Sequence, residues 1–129
     1  MVLDIAGKEH GANVIQFPEH GGDNQLWTWK GFCIVSKLGY ALDVKDNGTE
    51  KGSNVIGWEH NGGDNQNWKI QGDKIISCAN DMALDIKDGS TEKETPIICW
   101  PLASETDVNN QSWRIKYVKV ESFIWKFLL

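Results

Sequence analysis

The sequence predicts an all-β fold made of three repeats that pack against one another. Its apolar runs are short, are rich in Val, Ile and Trp, and are separated by Gly, Asn and Asp, a pattern typical of short strands and turns. Three Gln-x-Trp triplets, Gln25-Leu26-Trp27, Gln66-Asn67-Trp68 and Gln111-Ser112-Trp113, lie 41 and 45 residues apart. Such short strands bury an apolar face only by packing repeat on repeat. We therefore expect about four strands per repeat in a closed threefold unit.

The repeated pattern is longer than the triplet. An apolar-Leu-Asp-apolar tetrapeptide stands upstream of each one: Val2-Leu3-Asp4-Ile5, Ala41-Leu42-Asp43-Val44 and Ala83-Leu84-Asp85-Ile86. Between tetrapeptide and triplet, each repeat has a short apolar stretch that ends in an aromatic residue: Asn13-Val14-Ile15-Gln16-Phe17, Asn54-Val55-Ile56-Gly57-Trp58 and Pro96-Ile97-Ile98-Cys99-Trp100. Both polar and apolar positions therefore recur in register.

The length and composition predict one domain. The chain has 129 residues, of which 40% are hydrophobic and 24% charged, as in ordinary globular proteins. We expect a single domain over residues 1–129, with repeats at about 1–30, 31–72 and 73–116. Cys33, Cys78 and Cys99 are odd in number and have apolar neighbours, so we expect all three to be small core residues.

Charge and hydropathy exclude several classes of partner. The net charge of −5 disfavours nucleic acid and anionic lipid surfaces. No apolar run approaches the ~20 residues of a membrane span, so we expect no membrane insertion. The first residues lack the charged start and apolar stretch of a signal peptide. We therefore expect a protein that is cytoplasmic or secreted without a signal peptide.

The three sets of motifs resemble those of the ricin B-chain-like β-trefoil lectins, the Gln-x-Trp repeat family, over about residues 2–116. The resemblance implies a six-stranded barrel capped by three hairpins. It also implies that Trp27, Trp68 and Trp113 fill the core of that barrel.

The C-terminal segment departs from this pattern. The second and third repeats each begin with a strand-like segment, at residues 31–36 and 74–78, whereas the first repeat has none before Val2. We expect residues 117–129 to supply the missing strand and close the barrel, since an unpaired edge would otherwise be exposed. The alternative is an exposed apolar tail that pairs with another subunit, to form a homodimer, or with a membrane-active partner.

The recurring polar residues suit a sugar ring. A carboxylate accepts hydrogen bonds from neighbouring hydroxyls, an amide bonds a further edge, and an aromatic face covers the C–H side. In the resembling lectins the Asp binds a hydroxyl pair of galactose, the aromatic stacks, the Asn bonds hydroxyls and the Gln orients the Asp. The positions that match are Asp4, Phe17, His20, Asn24 and Gln25; Asp43, Trp58, Asn61, Asn65 and Gln66; and Asp85, Trp100, Asn110 and Gln111.

The second repeat has the most complete set and is our first choice. In the first repeat Phe17 offers a smaller ring than Trp, and in the third Pro101-Leu102-Ala103 removes polar residues beside the aromatic. The other interpretation is structural: each Asp caps its own turn, and each Asn-Gln pair forms a hairpin turn beside a core Trp.

These observations predict a multivalent, agglutinating lectin for galactose or N-acetylgalactosamine-type glycans. We expect no catalysis, no metal and no cofactor, because His10, His20 and His60 lie too far apart for a recognisable metal set. The repeated aspartates also fall in three separate lobes, unlike the facing carboxylates of a glycosidase. The alternative function is a trefoil scaffold that binds a protein partner, of inhibitor or cytoskeletal type, without binding sugar.

Overall fold

The structure, a computed structural model, describes residues 1–103, 110–119 and 123–128, which form twelve strands joined by turns and short 3-10 helices. The strands are β1 Val2–Ile5, β2 Val14–Phe17, β3 Trp27–Lys30, β4 Cys33–Ser36, β5 Tyr40–Val44, β6 Val55–Glu59, β7 Trp68–Gln71, β8 Lys74–Ser77, β9 Ala83–Ile86, β10 Ile97–Trp100, β11 Arg114–Lys119 and β12 Phe123–Leu128. The 3-10 helices are Ala6–Lys8, Asp23–Gln25, Lys45–Asn47, Asp64–Gln66 and Lys87–Gly89. Within the described ranges, no helix is long and apolar enough to cross a membrane.

Six of the strands close into a barrel. Antiparallel pairing joins β11 to β12, β12 to β3, β3 to β4, and β7 to β8. Two backbone bonds complete the ring: the Trp68 N–H donates to the Phe32 carbonyl beside β4 (2.8 Å), and the Trp113 N–H donates to the Asp73 carbonyl beside β8 (2.9 Å). The other strands form the hairpins β1–β2, β5–β6 and β9–β10. The predicted all-β, threefold β-trefoil is confirmed.

The C-terminal strand fills the place that the first repeat leaves open. Residue Leu128 of β12 pairs with Val2 of β1, as Val35 pairs with Ala41 and Ile76 with Ala83 in the other two repeats. The side chain of Phe127 is buried at 1% exposure. Residues 120–122 and 129, also part of the expected closing segment, lie outside the described residues.

Each triplet tryptophan joins the barrel to a hairpin. Trp27, Trp68 and Trp113 are buried in one apolar cluster. Their indole N–H groups donate to the carbonyls of the Leu-Asp tetrapeptides, at 3.2 Å to Leu3, 2.9 Å to Leu42 and 3.0 Å to Leu84. Buried indole N–H groups need such partners. These tryptophans therefore fill the core, and each also links two motifs of its repeat through a hydrogen bond.

The cysteines follow the sequence expectation at two positions of three. Cys33 and Cys99 are buried, and burial raises the pKa of the Cys99 thiol to about 11. Cys78 is exposed, so the expectation that it fills the core was wrong. The reason is its position just after β8 ends at Ser77, where the chain enters a turn. Apolar neighbours in the sequence do not determine whether a residue at the end of a strand points into the core.

If β12 closes the barrel through the buried side chain of Phe127, Phe127→Ala should lower the free energy of unfolding by about 3–5 kcal/mol, the usual cost of emptying a phenylalanine site in a core. Denaturant unfolding measures this. Phe32→Ala is the matched control, because Phe32 is 71% exposed and its truncation should change little. A chain ending at Lys119 that remained as heat-stable as the full chain would contradict the role of β12.

Candidate functional site

Each repeat holds its aspartate in the same amide network. The Gln side-chain N–H donates to the carboxylate at 2.8, 2.9 and 2.8 Å in the pairs Gln25–Asp4, Gln66–Asp43 and Gln111–Asp85. The Asn side-chain N–H donates to the other carboxylate oxygen at 3.1, 3.2 and 3.1 Å in the pairs Asn24–Asp4, Asn65–Asp43 and Asn110–Asp85. The aspartates therefore bond to the following Asn-Gln pair, and the interpretation of each as a cap of its own turn is wrong.

The side-chain amides of the three triplet glutamines form hydrogen bonds to other atoms of the protein. The second side-chain N–H of each donates to a backbone carbonyl, at Pro18, Glu59 and Pro101. The side-chain oxygen of each accepts from a backbone N–H, at His20, Asn61 and Ala103. Since Gln25, Gln66 and Gln111 are also buried, they position the aspartate and the adjoining loop and leave no atom for a ligand.

The strand register puts aspartate and aromatic on one face of each hairpin. Cross-strand partners share a face, and so do residues two apart on one strand. Asp4 pairs with Ile15, so Phe17 lies on the face of Asp4. By the same register, Trp58 lies on the face of Asp43 and Trp100 on the face of Asp85. The geometry thus brings together the predicted carboxylate, aromatic and Asn of each repeat.

Burial raises the pKa of Asp4, Asp43 and Asp85, and the hydrogen bonds from Gln and Asn oppose that rise. The charges of His20 and Lys8 also lower the pKa of Asp4, and the His20 Nε2 lies 3.7 Å from its carboxylate. At the other two sites, Asp46 and Asp88 raise the pKa of their neighbours further. The three carboxylates thus share hydrogen bonds but differ in surrounding charge.

The first-repeat site opens into a cleft of about 580 Å³. Among its lining residues are the predicted Asp4, Phe17, His20 and Asn24. Other lining residues come from the third repeat, at Glu94 and Pro96. The cleft is therefore shared between two repeats, which the sequence motifs did not indicate.

Trp58 and Trp100 are each flanked by a loop of the preceding repeat. The Gly11 N–H donates to the Gly57 carbonyl on β6 and the Gly52 N–H to the Cys99 carbonyl on β10, both at 2.7 Å. The His10 ring lies over Trp58 with centroids 4.0 Å apart, and the Lys51 ammonium lies 5.4 Å from the centre of the Trp100 ring. Sequence reasoning missed these contacts, although both residues directly precede a Gly-x-Asn segment.

The second and third sites therefore differ from expectation. His10 covers part of Trp58, so the aromatic of our first-choice site is less free than its motif suggests. Trp100 is 41% exposed. Ala103 occupies the loop position that His20 and Asn61 occupy in the other repeats, where the backbone N–H donates to the Gln side chain. Residues 104–109 of that loop lie outside the described residues.

A family model described as the ricin-type beta-trefoil lectin domain matches residues 1–113. The chain belongs to this family. No curated protein matches the chain significantly by sequence.

Solved structures extend the comparison. The designed threefold-symmetric protein ThreeFoil is 31% identical, with a TM-score of 0.76 over 98% of this chain and 89% of that one. An exo-β-1,3-galactanase from Clostridium thermocellum is 30% identical, with a TM-score of 0.72 over 98% of this chain, which spans only 27% of the enzyme. The C-half of an earthworm R-type lectin, in complex with GalNAc, is 22% identical with a TM-score of 0.71 over 97% and 88% of the two chains, and this likeness shows the fold alone.

In this ricin-type domain, NMR of the carboxyl carbons should find Asp4, Asp43 and Asp85 titrating above the ordinary value of 3.8, because burial disfavours their charged form. Asp73 is the internal control and should titrate below 3.8, because Lys74 donates to its carboxylate.

The direction in which pH changes the free energy of unfolding follows from the linkage between proton binding and folding. A raised folded-state pKa means that the folded chain binds the proton more tightly, so the contribution of the three aspartates is complete below the unfolded pKa. It is lost as pH rises through the folded pKa values. Asp73 contributes in the opposite direction, above its unfolded pKa. Titration of the three aspartates at or below 3.8 would contradict the burial argument.

Proposed function

We propose that this ricin-type β-trefoil domain is a non-enzymatic lectin that binds galactose or N-acetylgalactosamine-type sugars at up to three sites. One observation carries the proposal. Every repeat presents an aspartate held by Asn and Gln on the same hairpin face as an aromatic ring. The hydrogen bonds among these polar residues also serve the fold, but Phe17, Trp58 and Trp100 lie outside the buried apolar core, and a sugar needs such an aromatic face beside the polar groups.

Two of the similar solved structures support a galactose-type sugar as the ligand. The earthworm lectin structure contains GalNAc, and the Clostridium enzyme is a galactanase. In this chain, the aspartate oxygens and the Asn side-chain oxygen are the groups left to accept hydrogen bonds from neighbouring hydroxyls, with Asn24 Oδ1 in the first repeat buried and without a partner among the described residues, and the aromatic covers the apolar ring face. Shallow sites of this kind have dissociation constants on the order of 0.1–1 mM.

The described geometry ranks the sites. We place the first repeat ahead of the second, because its Asp4, Phe17 and Asn24 line one open cleft. In the second repeat a sugar must share Trp58 with the ring of His10. In the third repeat Trp100 is well exposed, but its neighbour Ala103 offers no polar side chain.

Titration of isotope-labelled chain with lactose and N-acetylgalactosamine, with glucose as control, tests the proposal by NMR. We expect shifts of the Asn24, Asn65 and Asn110 side-chain amides and of the Trp58 and Trp100 indoles with the galactose-type sugars only. Absence of shifts with either sugar at ~50 mM, well above the affinities estimated here, would contradict the lectin function and favour the protein-binding scaffold.

Removing one stacking ring should affect one site. Trp100→Ala should weaken binding at the third site about twofold to tenfold, since aromatic contacts of this kind contribute about 0.5–1.5 kcal/mol. The Asn24 and Asn110 amides report the first and third sites separately in the same sample. Phe32→Ala, which truncates an exposed ring that does not line the first-repeat cleft, should leave all sites unchanged. Equal weakening at Asn24 and Asn110 would indicate a general loss of structure instead.

Multivalency predicts agglutination of galactose-bearing cells or beads. The triple variant Asp4→Ala, Asp43→Ala, Asp85→Ala should lose it, because no site keeps its carboxylate. Each replacement also leaves Asn and Gln donors without an acceptor, so retention of the folded indole NMR spectrum is the necessary control. Unchanged agglutination by the folded triple variant would rule out binding through these aspartates.

A further inference from the structure

The first-repeat cleft has a carboxylate that its counterparts lack. Glu94, from the third repeat, lines the cleft together with Asp4 and Phe17. Its N–H donates to the Gln16 carbonyl on β2 at 2.8 Å, as Gly11 and Gly52 donate to the matching residues of β6 and β10. The three loops are thus equivalent, and only the one beside the first-repeat site places a charged side chain at this position.

The backbone of Glu94 would suit glycine better. Its φ is 69°, in the left-handed region, and the equivalent Gly11 and Gly52 have φ of 80° and 88°. A residue with a side chain is disfavoured there, and such conformations concentrate at functional sites. Glu94 therefore occupies a position that the fold alone would fill with glycine.

A buried amide fixes the loop that carries Glu94. The Gln16 side chain is 1% exposed and donates to the Ser90 carbonyl at 2.9 Å and to the Glu92 carbonyl at 2.6 Å. The Thr95 hydroxyl adds a bond to the Glu92 carbonyl at 2.7 Å. At the position of Gln16 the other repeats have Gly57 and Cys99, which offer no amide. The carboxylate is therefore presented from an anchored loop.

The Glu94 carboxylate has no bonded partner among the described side chains that line the cleft. Lys8 and His20 also line it, but both act on the Asp4 carboxylate. Within the described part of the chain, the Glu94 carboxylate forms no ion pair or side-chain hydrogen bond. Such a carboxylate attracts a ligand ammonium group and repels a ligand carboxylate.

We propose that Glu94 is a specificity-determining residue of the first-repeat site, which makes that site prefer sugars with a free ammonium group and reject acidic sugars. The inference rests on the proposed function and adds a distinction between the sites. The matching loop positions beside the second and third sites are Gly11 and Gly52, which carry no side chain, so only the first site gains this selection.

The test compares galactosamine, galactose and galacturonic acid by NMR titration of the full chain, at a pH where the amine is protonated. Asn24 and His20 report the first site and Asn110 the third. We expect Glu94→Gln to reduce the preference for galactosamine over galacturonic acid by up to about fivefold at the first site, the upper end of the range for an exposed charge pair. All binding at the third site should stay unchanged.

Glu92→Gln is the matched control. It removes the same charge from the same exposed loop, two residues away, but Glu92 does not line the cleft. It should leave the preference as in the unmodified chain. An equal change in both variants, or no change in Glu94→Gln, would overturn the role of Glu94 while leaving galactose binding intact. Loss of every shift at Asn24 with all three sugars would instead overturn the proposed function.

Glu94→Gly separates a role in binding from a role in folding. Glycine adopts a φ of this kind freely, so the variant should melt at the same or a higher temperature and should lose the preference for galactosamine. A lower melting temperature would mean that the side chain serves the fold, which would also overturn the proposal.

Discussion

The hydrogen bonds between each Gln-x-Trp triplet and the Leu-Asp pair before it hold the molecule together. The triplet Trp donates to the Leu carbonyl and the triplet Gln to the Asp carboxylate, in all three repeats. The apolar half of this interaction fills the barrel, and the polar half fixes a buried carboxylate on the hairpin face that also carries the aromatic ring. Because both halves belong to one motif, the residues that build the core also place the candidate site.

Desolvation of the three aspartates is the cost of that arrangement. Burial raises the pKa of each, and the paired amides of Asn and Gln offset part of the rise. A carboxylate fixed in this way has little freedom left to lose when a sugar binds, which reduces the entropic cost of association. The hydrogen-bond network around each aspartate therefore carries a desolvation cost when the chain folds, and it holds the carboxylate in place before a ligand binds.

Contacts between repeats make the three sites unequal. The same loop reaches from each repeat to the aromatic strand of another, but it presents His10 to the second site, Lys51 to the third and Glu94 to the first. The backbone bonds of the loops are alike. Threefold symmetry thus extends to the backbone and the core, whereas the side chains at the edges of the clefts differ in charge and shape.

Periodic spacing in the chain was enough to predict the all-β class, the three repeats and the grouping of Asp, aromatic and Asn, because those residues interact within one repeat, whereas the core role of the tryptophans was implied by the resemblance to the β-trefoil lectins. The closing role of β12 also followed, since one repeat lacked a strand. The exposure of Cys78, the ring of His10 over Trp58 and the presence of Glu94 in the first-repeat cleft could not be predicted in this way. Strand ends and contacts between repeats depend on how the repeats pack around the barrel axis, and a periodicity within the chain does not encode that packing.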